Sequence, residues 1–114
     1  MEVAQSMRVP VINSIDYTVF VQGLRLNGEL LVFVHCDVRK WDPTVAKRLL
    51  SDWKLFTDLF NGPLFALNEK GDEKHRKFLA LFGFEFIEEC VGTDSVTRNL
   101  FVHKNKNKDI TDGD

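Results

Sequence analysis

Apolar and polar positions change period several times along the chain, and each change marks an element. Val9 to Ile12 is a short, mostly apolar run closed by the turn formers Asn13 and Ser14. Pro10 has no N–H to give a ladder, which predicts an edge strand. Tyr17 to Leu26 and Glu29 to Val38 read as strands flanking Asn27-Gly28, a pair that tolerates the positive φ of a type I′ hairpin turn. Gly23 interrupts the first arm and predicts a bulge. The unbroken apolar run Leu30 to Val34 predicts a strand buried on both faces.

From Asp42 onward the period is helical. Asp42 caps free backbone N–H groups, and Pro43 fits the first turn, where no hydrogen bond is lost. Val45, Ala46, Leu49, Leu50, Trp53, Phe56, Leu59 and Phe60 recur at three- and four-residue steps and form one apolar stripe. Asn61-Gly62-Pro63 ends the helix, and Leu64 to Leu67 reads as a short central strand. Asp72 caps a second helix that runs to Phe82, with Phe78, Leu79 and Phe82 inward and Gly83 as its stop. Glu85 to Val91 and Val96 to His103 flank a second turn, Gly92 to Ser95. The order is β-β-β-α-β-α-β-β, a mixed α/β fold. Residues 1–103 read as one domain and 104–114 as a flexible polar tail. Leu49, Trp53, Phe56, Phe78 and Phe82 are expected in the core.

Composition narrows the function. The chain has 114 residues, enough for one core, and 44% are hydrophobic, including ten Phe. Lys and Arg number 15 against 17 Asp and Glu, a net charge of −2. That balance argues against a general nucleic-acid binder, which needs a concentrated cationic surface. No apolar run reaches the roughly 18 residues of a membrane span, and the short, mixed N-terminus does not read as a signal peptide. A cytoplasmic protein is expected, with no membrane and no nucleic acid among its partners. Cys36 and Cys90 fall inside strands and read as small buried hydrophobes. The three His and two Cys lack zinc spacing, so no metal is expected.

The stretch Asn68 to Phe84, with Arg76, Phe78, Leu79 and Gly83, resembles the second half of an acyl-CoA N-acyltransferase of the GNAT superfamily, and small GNAT-like proteins encoded by tailed phages most of all. In such folds a buried strand delivers an Asn, and a short helix ends in an aromatic/leucine-x-x-x-Gly-Phe signature. The element order is similar to that fold without its first strand and paired N-terminal helices. The resemblance implies a central mixed sheet, a CoA site at the start of the long helix, and Arg39 and Asn68 as cofactor-binding residues if acetyl-CoA binds.

The chemistry departs from that pattern. The family cradles the CoA pyrophosphate on backbone N–H groups of a Gln/Arg-x-x-Gly-x-Gly/Ala loop, because side chains would hold the phosphates away. The segment here is Arg39-Lys40-Trp41-Asp42-Pro43-Thr44. Asp42 and Thr44 replace the glycines, and Pro43 removes a donor. Leu79 stands where many members carry the tyrosine general acid, and Tyr17 lies in another strand. His35 and Asp37 read as a polar strand end, His75 as a surface residue or cap partner, and His103 as the end of an edge strand. No catalytic residue is assigned.

Two functions remain open. The first is a degenerate GNAT-like protein without cofactor, acting through protein contacts as a phage virion component or host-directed effector. Its partner would be a bacterial host or virion protein, or a second copy in a homodimer. Its contact surface would be Arg39, Lys40, Trp41, Lys47 and Arg48, with Trp41 either an exposed anchor or a staple packed on the helix start. The alternative is a minimal acyl-CoA-dependent N-acyltransferase with a non-standard CoA loop.

Overall fold

Side-chain alternation, turn chemistry and two capping aspartates account for most of the architecture. A computed structural model describes residues 7–26 and 28–104. Its elements are strands β1 (Val9–Asn13), β2 (Tyr17–Leu26) and β3 (Glu29–Val38), helix α1 (Pro43–Leu59), strand β4 (Leu64–Glu69), helix α2 (Glu73–Leu81), and strands β5 (Glu85–Val91) and β6 (Thr97–His103). The strands form one six-stranded mixed sheet in the order β1-β2-β3-β4-β6-β5. β3 and β4 are parallel, and the other neighbours are antiparallel. The mixed α/β class and the element order follow the sequence expectation.

The hairpin of β2 and β3 holds register from Tyr17–Val38 to Leu26–Glu29, and Gly28 has φ +82°. Asn27 itself lies outside the described residues, as does the tail beyond Lys104. No bulge occurs at Gly23, which pairs in step with Val32; the irregularities fall between Pro10 and Ile12 and between Phe86 and Glu88. Both bulges sit on the outermost strands, where one side of the ladder is free to bend.

Asp42 Oδ1 accepts the Val45 N–H at 2.9 Å, and Pro43 occupies the first helical turn. Asp72 Oδ1 likewise accepts the His75 N–H at 3.1 Å. Gly83, at φ +89°, ends α2 against the His103 ring, where a Cβ would come within 3.2 Å. Only glycine meets both conditions without strain.

Alternation along the paired strands defines two faces. One carries Tyr17, Val19, Leu64, Ala66 and Phe101, and both helices cover it: Val45, Leu49 and Trp53 of α1 and Leu79 of α2 join those residues in one buried cluster. Trp53 anchors this layer by donating its Nε1–H to the Phe82 carbonyl at 3.1 Å and stacking on Phe84. The other face carries Phe20, Gln22, Phe33, His35, Phe65 and Val102. No helix among the described residues covers it.

Several side chains depart from expectation. Leu30 is 60% exposed, so the Leu30 to Val34 run is not buried on both faces. Of the expected core, Leu49, Trp53 and Phe82 are buried, while Phe56 and Phe78 are half-buried. Leu59 is exposed because it lies with Leu55, one turn earlier, on the outward side of α1, while Thr57 and Phe60 beside it still pack inward. Cys36 is exposed and Cys90 half-buried, because one lies where β3 loses its neighbour and the other on edge strand β5. His103 belongs to an interior strand, not an edge, since β6 lies between β4 and β5.

Candidate binding cleft at a fork between parallel strands

β3 and β4 pair at a single position, Phe33 with Phe65, whose rings lie 5.8 Å apart on the open face. No register pair follows toward their carboxyl ends among the described residues, so the two strands diverge like the arms of a fork. A cleft of about 1040 Å³ occupies the gap. It lies at the carboxyl ends of parallel strands, where α/β sheets most often bind ligands.

The cleft reaches both faces of the sheet. Val34, Cys36 and Val38 of β3 line it, and so do Phe33 and His35. Neighbouring strand residues point to opposite sides, so a space lined by both sets must run past the strand edge. On the helix side its walls are Trp41, Leu49 and Trp53 from α1 and its approach, with Lys74, Lys77 and Phe78 from α2. Trp41, 47% exposed, packs its ring 5.6 Å from Phe78, which in turn packs on Phe82 at 4.8 Å. The indole is thus a wall shared with α2 and not a staple on α1 alone.

Among the described residues, Arg8, Lys74, Lys77 and Arg98 bring cations to the cleft, His35 and His75 bring imidazoles, and no Asp or Glu lines it. Arg98 is pinned by Asp94 at 2.9 Å, and that pairing, with the Val96 N–H, holds the Asp94 carboxyl down at about 2. Lys74 and Lys77 have no ion pair among the described residues. Burial, with the Arg8 charge adding to it, pushes His35 below the usual imidazole value, and its Nε2 lies 2.9 Å from Gln22 Oε1. Although the residue as a whole is exposed, desolvation of its thiol, with the Asp37 carboxylate adding to it, pushes Cys36 up to about 11. A thiol so held is a poor nucleophile at neutral pH.

The residues singled out in the sequence take up different tasks. Arg39 donates to Asp37 Oδ2 at 2.8 Å, the Ser14 carbonyl at 2.7 Å, Thr18 Oγ1 at 2.9 Å and the Ile15 carbonyl at 3.2 Å. Arg48 bonds Asp16 Oδ2 at 2.5 Å and lies over the Tyr17 ring. These two guanidiniums converge on the β1–β2 turn and clamp it. Lys40 reaches Asp42 at 3.8 Å, Lys47 is exposed on α1, and Trp41 alone of the five lines the cleft.

Asn68 is 1% exposed and wholly engaged: its Nδ2 donates to the Asp72 carbonyl and meets His75 Nδ1, both at 3.1 Å, while its Oδ1 accepts from Asn99 Nδ2 at 3.0 Å. It ties β4 to the start of α2 and to β6. His75 therefore acts as a partner inside this tie. Leu79 is buried in the core.

Sequence reasoning passed over Lys74 and Lys77. With Phe78 and Leu81 they fall at i, i+3, i+4 and i+7, a stripe that mixes two cations with two apolar residues. That mixture was the available signal. No group of His, Cys, Asp and Glu among the described residues is placed to hold a metal, and no helix there is long and apolar enough to cross a membrane. No family model, curated protein or solved structure matches the chain.

Proposed function

We propose that this chain is a degenerate GNAT-like protein that acts through protein contacts, without acyl transfer. One observation carries the reading: the α1 N-terminus, where an acyltransferase of that superfamily receives the CoA pyrophosphate, is already occupied by its own carboxylate. Asp42 Oδ1 holds the Val45 N–H at 2.9 Å, and Pro43 removes a further donor. A phosphate arriving there would displace that bond and face a like charge. Asn68 and Arg39, the other residues a cofactor would need, have their donors engaged within the fold. The Asn68 to Phe84 resemblance supports a phage-encoded protein, a virion component or host-directed effector working in a bacterial cytosol. Its contact surface is the Trp41 side of the molecule.

The fork favours a second reading, a minimal acyl-CoA-dependent N-acyltransferase, because diverging parallel strands suit a narrow acyl donor. Thermal unfolding of wild type, Asp42→Ala and Asp42→Gly, each with and without millimolar acetyl-CoA, separates the two. The binding reading expects Asp42→Ala to lose about 0.5–2 kcal/mol as a lost cap and acetyl-CoA to shift no variant. Stabilisation of the wild type by acetyl-CoA overturns it.

A further inference from the structure

We infer that the fork between β3 and β4 receives an extended peptide segment of a partner protein that carries both acidic and apolar residues. The inference rests on the protein-contact reading above and names what that site would hold.

Three observations carry it. The first is the backbone. Beyond Phe33 and Phe65 the facing edges of β3 and β4 form no ladder with each other, while β3 stays paired with β2 and β4 with β6. Every second residue of each arm therefore presents N–H and C=O groups to the gap. An extended peptide satisfies such groups by strand addition, as at an exposed sheet edge. The arm from Phe33 to Val38 measures about 17 Å at the usual strand rise, room for about five extended residues.

The second observation is the apolar part of the lining, which includes Phe33, Val34, Trp41, Phe78 and Phe82. Alternate side chains of an inserted strand point to the two faces. One set meets the aromatic wall under the helices, and the other meets Phe33 on the open face.

The third is charge. Lys74 and Lys77 stand on the helix side with no ion pair among the described residues, and Arg8 and the Asp94-paired Arg98 line the rest, in a protein of net charge −2. A cationic lining in a molecule of opposite net charge selects carboxylates and rejects basic segments.

The test uses the full-length protein and an mRNA-displayed library of random octapeptides. Selected sequences are expected to favour Asp and Glu over Lys and Arg by about tenfold, the size of a few exposed charge contacts, together with apolar residues. Selection on Lys74→Glu/Lys77→Glu should sharply reduce that preference; both lysines are exposed, so the variant keeps its fold. A synthetic copy of the best sequence should bind about tenfold more weakly once a central amide is N-methylated, because one backbone hydrogen bond is lost. Indifference to charge, an unchanged preference on the double variant, or indifference to N-methylation would each overturn the inference. Displacement of the peptide by micromolar acetyl-CoA would sink both this inference and the protein-contact reading. If acetyl-CoA does not bind and the library shows no acidic preference, only the fork fails, and protein contact elsewhere on the surface stands.

Discussion

Asn68 shows how one buried side chain can carry a motif for structural reasons alone. A side-chain amide 1% exposed has to find partners, and this one joins three elements through Asp72, His75 and Asn99. Replacing it by Ala leaves the Asp72 carbonyl and the Asn99 amide short of a partner. The expected loss is about 2–4 kcal/mol in urea unfolding, the sum of missing bonds and unsatisfied buried groups. A loss under about 0.5 kcal/mol, typical of a surface site, would show that the tie does not hold the fold. His35 makes a prediction about acid. Its value is lowered in the folded chain, by burial first and by Arg8 second. Below the ordinary 6.5 the unfolded chain therefore binds the proton more readily than the folded one. Its contribution is complete above pH 6.5 and is lost as pH falls from there through the lowered folded value. Between pH 7.5 and pH 5, wild type should lose more stability than His35→Gln; equal losses would mean that His35 titrates freely.

At the scale of elements, turn and cap chemistry was legible because it is local. Asp42, Asp72, Gly28 and Gly83 each act through neighbours a few residues away, and each stands where the sequence placed it. Helix faces were legible only in part. The apolar stripe of α1 reports that Leu49 and Trp53 turn inward, but apolar residues also sit off that stripe. Leu59 lies one turn after the exposed Leu55 and faces outward with it, and Phe56 is only partly covered. Phe78 is half-buried because it faces the cleft, where its neighbours are Trp41 and Phe82. Phe78→Ala should therefore cost about 1.5–3 kcal/mol, less than the 3–5 of a fully buried Phe. It should also shift Trp41 emission to the red as water reaches the ring. A cost of 4 kcal/mol or more would place Phe78 in a closed core.

Over the whole molecule, the mixed α/β class and the element order were legible from the alternation of elements, whereas the interior place of β6 and the fork were not. Distance between two strands joined through a seventeen-residue helix is set by what packs beneath them, and no period along the chain records it. The candidate site suffered for the same reason. Residues grouped by nearness in sequence, such as Arg39 and Trp41, separate to a turn and a cleft, while Arg8 from before β1, His35 from β3 and Lys77 from α2 line one cleft. Hydrogen exchange tests the fork directly. In Val34 to Val38, amides that face β2 should be protected and the alternate amides should exchange far faster. Uniform protection along that arm would mean the gap is closed in solution.

A pair of strands fastened at one point is a lever. The Phe33–Phe65 contact is its pivot, and the arm to Val38 is about 17 Å long at the usual rise. A rotation of about 5° at the pivot moves the far end by roughly 1.5 Å over that arm, close to the radius of a methyl group. Aperture is thus governed from the closed end. A larger ring in place of Phe33 should pry the arms apart, and a smaller side chain should let them settle, with no atom changed at the mouth.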